Sequence, residues 1–438
     1  MTAATTAPAE TPAGAADHRT GSCGTEVMPS FRRLPFRTSA MLAICSDLDE
    51  TPDAGLYYEC MRFLNTTEHT RFGRGVGLEV GNSIYFDATP GQFGYWTTDD
   101  RGREMVRALI RSGHIDCLHS YGDRATTRAH AGRALEELAR FDCSLQVWVD
   151  HAIAATNFGA DIMRGCGDVR DSAAYHADLT CEFGIKYVWR GRVTSMIGQG
   201  AAASLGGLYN PAHPIRSAVT IAKEAAKQTL ARTGSAKYGL HAGNAILEPA
   251  TLRSGQPVYE FLRFNPHWGG VSCGDTPDGL GEVLSERTLS RLANRMGLGI
   301  LYTHLGKIGD RRDPFPGSAR EALYRLASRS ARGRMLITTT RRLLGYCRAL
   351  REARIASVPD GGSLRLDIRL DGVEWDAPGP TDADGLTVTV SNPESTRVSV
   401  NGRDVPEVVR IPRDAAGPGA VALPWRRLRF PSDGGPLR

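Results

Sequence analysis

No run of about 18 apolar residues interrupts this chain, so it offers no helix able to cross a membrane. Neither sign of charge dominates: 53 Lys and Arg stand against 48 Asp and Glu. The small basic excess is scattered in short clusters, which argues against nucleic acid as a partner. The first 25 residues lack both the basic start and the apolar block of a secretory signal. Rich in Ala, Thr and Pro, residues 1–30 read as a disordered tail. The nine cysteines are widely spaced and form no CxxC pair. With no signal seen, that favours reduced thiols and a cytoplasmic setting. No internal repeat appears at a solenoid period.

What is present is an alternation of apolar strands and amphipathic helices. Residues 40–48 (AMLAICSDL), 114–120 (HIDCLHS), 144–151 (SLQVWVDH) and 185–191 (IKYVWRG) read as strands. Helical patterns at 100–112, 124–141 and 172–184 separate them. The cycle returns with helix 284–297, capped at Ser285, strand 298–306, helix 318–331, strand 334–340 and helix 341–355. This order predicts a parallel sheet with helices outside it. From about 360 to 430 short alternating runs cut by Gly, Pro, Asn and Asp predict a small β-rich segment. Residues 192–283 are rich in Gly and Pro and show no clear pattern.

Groups with chemistry stand where strands stop. The first ends at Asp47 and Asp49, the second at His119 and Asp123, the third at Asp150 and His151, and a late one at His304. The carboxyl ends of parallel strands form the reaction crevice of α/β folds. Buried carboxylates and imidazoles need partners, and one divalent metal would satisfy several together. Asp47 and Asp49, two apart, point to one face of a strand; the plainer reading is that one caps the following turn. His119 and Asp123, four apart, can bend toward one ion, and an imidazole with a carboxylate suits zinc. Asp123 can equally cap the next helix. His151 is a ligand, a substrate contact or a core histidine bonded to Asp150, with Asn157 in the same loop as a weaker contact. His304 is an active-site group or a histidine bonded to a main-chain carbonyl. His241, His267 and Trp268, in loops with Gly and Asn, are candidate substrate walls, and Trp189 either stacks on a sugar or packs in the core.

In this order the motifs resemble the polysaccharide deacetylase (NodB-homology) family of the glycoside hydrolase/deacetylase superfamily, as a divergent branch. "CSDLDE" stands where that family has Thr-Phe-Asp-Asp, with one residue inserted between the acids. "HSYGD" begins like His-Ser/Thr-x-x-His but ends in Asp123. "LYTH", Leu301 to His304, matches Leu-x-x-His. The family's Arg-x-Pro-Tyr is missing, and "VDHAIAATNFG" occupies that region. The resemblance implies a distorted (β/α) barrel of about seven parallel strands over 36–356, followed by the β appendage at 360–430. It implies Asp47 as general base, Asp49 and His119 as ligands of a divalent metal (zinc being the expected ion) with Asp123 or His151 completing the shell, and His304 as general acid. The implied activity is hydrolysis of an N-acetylated sugar or related amide, with a small molecule or glycan as substrate. A metal-dependent glycosidase, an amidase of a non-sugar substrate, and a non-catalytic carbohydrate-binding barrel are the alternatives.

Overall fold

The strand β1 (Met41–Ser46) shows how the layers arise. Its side chains alternate between two cores: Leu42 and Ile44 face one, and Met41, Ala43 and Cys45 face the other. All six residues are buried. A strand apolar on both faces belongs inside a sheet that is covered on both sides. The computed structural model describes residues 28–47, 50–361, 363–373, 375, 379–414 and 417–431. The predicted tail therefore lies outside the described residues up to residue 27, and so does Asp49.

Ten further strands join β1. They are β2 (Gly81–Ile84), β3 (Ile115–His119), β4 (Val147–Val149), β5 (Tyr187–Trp189), β6 (Val193–Thr194), β7 (Leu247–Thr251), β8 (Pro257–Phe261), β9 (Arg263–Phe264), β10 (Leu298–Thr303) and β11 (Leu336–Thr338). Along the sheet the order is β7-β8-β5-β4-β3-β2-β1-β10-β9-β6, with β11 paired to β1 beside β2. Among the described residues only the β7–β8 pair in this sheet is antiparallel. The sheet curls into a half-barrel within a mixed α/β fold. More strands stand here than the seven the sequence predicts, because β6 to β9 come from the Gly- and Pro-rich middle, where no strand pattern was legible. The same middle also supplies a helix of 19 residues, Pro214–Arg232.

Helices Ala54–Asn65, Asp100–Arg111, Arg128–Arg140 and Gly317–Ala331 cover the face of β1 that carries Leu42 and Ile44. Two of these start at ordinary side-chain caps: Asp53 accepts from the Leu56 N–H at 2.8 Å and Asp99 from Gly102 at 2.8 Å. Ser285 caps the separate helix Glu286–Asn294, accepting from Thr288 at 3.4 Å. The helix after β3 has Thr127 at its N-cap position, so Asp123 does not cap it. No described helix is long and apolar enough to cross a membrane.

Beyond residue 353 two four-stranded sheets form. One holds Arg354–Asp360, Ser363–Arg369, Thr396–Val400 and Arg403–Asp404. The other joins Thr387–Thr389, Val409–Ile411 and Ala420–Ala422 to Ser30–Phe31 near the chain start. Leu366, Val388 and Val398 pack into the same core as Met41 and Ala43. An ionic tie reinforces that packing. Arg342 on helix Thr340–Glu352 is buried and bonds Glu79, as well as Asp384 at 3.1 Å. Glu79 also accepts from Thr338 at 2.6 Å and from the Leu428 N–H at 3.0 Å. Removing one partner of a buried ionic cluster strands the others without water. Arg342→Met is therefore expected to cost about 3–5 kcal/mol, read as a lower urea midpoint. A variant within about 1 kcal/mol of the parent, the worth of a surface pair, would show that the tie does not hold the segment.

Candidate functional site

Strand parity explains why the site assembles. On the inner face of the sheet lie Cys45, Cys117, Val149 and Tyr302. Two residues further along each chain direction come Asp47, His119, His151 and His304, so each emerges at the end of its strand on that same face. Four neighbouring or nearby strands thus deliver a carboxylate and three imidazoles to one place.

Asp47 is at the centre, 1% exposed. Its main chain is clamped by N–H donation to Thr303 O at 3.2 Å and by the Gly306 N–H donating to its own carbonyl at 3.2 Å. Ser83 Oγ on β2 donates to Oδ1 at 3.0 Å, and His119 Nδ1 stands 3.6 Å from the same oxygen. Arg263 Nη1 lies 3.3 Å from Oδ2, and His304 Nε2 3.8 Å from it. Arg263 is itself fully buried. Its other nitrogen, Nη2, bonds Cys45 Sγ at 2.8 Å, and its guanidinium stacks 4.2 Å from the centre of the Trp189 ring.

These partners decide the protonation states. Burial alone pushes the Asp47 carboxyl up, but His119, Arg263, His304 and the Ser83 hydroxyl together hold it well below the usual carboxylate range. Burial pulls His119 well below the usual imidazole range, with Asp47 opposing and His151 reinforcing. With His119 neutral, the Arg263 guanidinium is the charge that keeps Asp47 ionised at neutral pH.

His151 and Asp123 form a second pair, Nδ1 to Oδ1 at 2.9 Å, and Asp123 also accepts from Thr89 at 3.1 Å. The partner of His151 is thus Asp123. Asp150 instead accepts from Trp148 Nε1 and from the Phe158 and Gly159 N–H groups at 2.7–2.8 Å. The His151 ring stands edge-on to His119, with centroids 4.9 Å apart, and Tyr85 packs against both at 5.1 and 4.6 Å. In the turn between His119 and Asp123, Gly122 has φ +102°, and a Cβ there would stand 2.3 Å from Asp87 O, so the turn requires glycine at this position. Side-chain exposure rises outward, from 2% at Asp47 and His119, through 11% at His304, to 23% at His151 and 31% at Asp123. The cluster is therefore most open to solvent on the His151–Asp123 side.

His304 sits between two carboxylates. Nε2 faces Asp47, and Nδ1 is 3.4 Å from Asp275 Oδ2, while its own N–H donates to Asp275 O at 2.6 Å.

The predicted substrate contacts fall in different places. Asn157 is buried, and its amide bonds the His151 N–H and carbonyl at 3.0 and 2.9 Å, so it splints the loop that holds His151. Trp189 lies behind Arg263 and donates to Arg192 O at 2.8 Å. His241 is buried among Tyr238, Glu224 and Lys227; burial first and Lys227 second push its ring down to about 4. His267 and Trp268 both contact Glu282, at 2.9 and 3.0 Å, and Trp268 stacks on His213 at 3.7 Å. Asn265 connects that wall to the cluster, bonding the His267 N–H at 3.1 Å and Tyr302 O at 3.4 Å.

Nitrogen and oxygen donors of this kind suit a borderline divalent ion. Among the described residues, however, no three His, Cys, Asp or Glu stand close enough together to hold one. Comparison with family models, with curated proteins and with solved structures finds no match.

Arg263, Ser83 and Asp275 were not anticipated. A lone arginine inside the apolar run "YEFLRFN" is the one signal in the sequence, since a buried cation requires a buried anion. The depressed Asp47 carboxyl implies a definite acid limb. Its contribution to stability is fully present above the unfolded value near 3.8 and is lost as pH falls below it. Asp47→Asn should flatten that part of the urea-midpoint-against-pH curve; an unchanged acid limb would show that the pair does not stabilise the fold.

Proposed function

We propose that this chain is a hydrolase of an amide C–N bond, acting on an N-acetylated sugar or a related amide with a divalent metal, zinc by donor type. The observation that carries this reading is the meeting of an ionised Asp47, a neutral His119 and a His304 flanked by two carboxylates at the ends of nearby parallel strands. The curled sheet is then a distorted, incomplete barrel, in keeping with the polysaccharide deacetylase resemblance of its motifs.

His119 with either His151 or Asp123, together with Asp49 beyond the described residues, would hold the metal, as the motif resemblance implies. When bound, the ion would supply a water acidified toward about pH 7. Asp47, ionised and fixed in place, would be the proton acceptor, and Arg263 and Ser83 would fix the direction in which its free lone pair points. His304, with each ring nitrogen facing a carboxylate, would be the general acid that hands a proton to the leaving amine. Asp275 keeps the ring turned toward the bond. Near-complete burial excludes bulk water from Asp47 and strengthens its interactions. The products are a free amine and a carboxylate such as acetate.

A second reading is a carbohydrate-binding barrel without catalysis. Metal analysis and acetate release separate the two. On the catalytic reading the purified protein melts higher when zinc is added and releases acetate from an N-acetylated amino sugar. Asp47→Asn and His304→Ala each lose about 10²–10⁴-fold in turnover, while His119→Ala loses the zinc-dependent rise in Tm. No stabilisation by zinc together with no acetate from any acetylated amino sugar favours the binding role. Acetate release undiminished in Asp47→Asn rejects the assignment of the base.

A further inference from the structure

A cavity of about 920 Å³ opens at the opposite end of the sheet from Asp47. Its floor is where two central strands begin: Ile115 and Asp116 open β3, and Leu145 and Gln146 lead into β4. Its wall includes residues 426–429 of the C-terminal segment. Among the described residues six arginines line it, Arg111, Arg341, Arg342, Arg426, Arg427 and Arg429, against a single lining carboxylate, Asp116, which accepts from the Arg341 N–H at 2.8 Å.

Four of these arginines are held by carboxylates that do not line the cavity. Arg341 pairs with Asp382 at 2.8 Å, Arg342 with Glu79 and with Asp384 at 3.1 Å, Arg426 with Asp384 at 2.7 Å and Arg111 with Glu104 at 2.7 Å. Glu79, Asp382 and Asp384 are buried, so they fix three guanidinium groups in the wall from behind. Arg427 and Arg429 are exposed, and no carboxylate partner stands beside either among the described residues; Arg427 bonds only Gly77 O, at 3.0 Å. These two guanidinium groups, without a carboxylate partner among the described residues, flank Leu428, whose side chain joins Ile110 and Leu145 as apolar lining.

We propose that this cavity binds an organic diphosphate, two linked phosphates on a body the size of a nucleoside. Guanidinium forks match phosphate oxygens two at a time, and several held in place by other side chains lose little freedom on binding. The volume lies within the range of small-molecule sites, and the apolar lining suits an aromatic or sugar body better than a bare ion. Because the cavity lies across the sheet from Asp47, the ligand takes no part in the chemistry proposed there, and this inference stands or falls independently of that one.

Isothermal titration of the full chain with ADP as the probe, beside adenosine and inorganic phosphate, tests the proposal. ADP should bind saturably, and more tightly than either adenosine or phosphate. The double substitution Arg427→Glu with Arg429→Glu, on exposed residues, should weaken ADP at least about tenfold while the urea midpoint stays that of the parent. Asp47→Asn should bind ADP as the parent does. No saturable heat with millimolar ADP overturns the proposal, as does equal ADP affinity in the double variant. Adenosine binding as tightly as ADP would also overturn it, since the arginines would then contribute nothing.

Discussion

A single buried ion pair, Asp47 with Arg263, sets the terms for the centre of this protein. Neither side chain reaches water, and each ion taken out of water alone costs several kcal/mol. Together, with Ser83 on one carboxylate oxygen and Cys45 and the Trp189 face around the guanidinium, they are held in one geometry. The pair sits where β1, β9 and β10 run side by side, so the strands that carry it cannot slide past one another without separating the charges. The imidazoles of His119 and His304 then find their positions by approaching a carboxylate that is already fixed.

Burial acts on every carboxyl in the sheet in the same direction, and the nature of the partners decides the outcome. Asp150 is as buried as Asp47, but its bonded partners are uncharged N–H groups; burial dominates, and its carboxyl is pushed up to about 7. Asp116, at the other end of the sheet, accepts from the Arg341 N–H and is pushed up to about 6. Asp47 has cationic and imidazole neighbours and moves the other way. Asp150 thus has the character of a splint for the loop carrying Phe158 and Gly159, and Asp47 that of a carboxylate kept ionised inside the protein by its neighbours.

Much of the sheet was legible because its strands are apolar on both faces, and the polar residues that end them stand out against that background. The site was legible to the same extent: Asp47, His119, His151 and His304 are all strand-end residues that share a parity with apolar neighbours. What escaped was polar where a strand is expected to be apolar. β2 reads Gly-Asn-Ser-Ile, and its Ser83 has its role only once Asp47 is beside it. β9 is two residues long, too short for any periodicity, yet it brings Arg263. Asp275 lies in a Gly-rich loop with no pattern of its own, and only the folded path of that loop carries it to His304. The long helix Pro214–Arg232 buries Ser217, Thr220, Glu224 and Gln228 rather than an apolar stripe, which is why its period was hidden.

That helix also shows how the polar interior extends beyond the strand ends. Glu224 reaches in to accept from Thr194 Oγ1 at 2.6 Å and from the Ser195 N–H at 3.1 Å, and Lys227 bonds Val193 O at 3.0 Å. It therefore fastens β6 and the chain just after it. β6 pairs with β9, and β9 holds Arg263, so the position of the guanidinium depends on a helix that never touches Asp47. The long, weakly patterned middle of the chain thus supplies the counter-charge without which the first strand could not end in a buried acid.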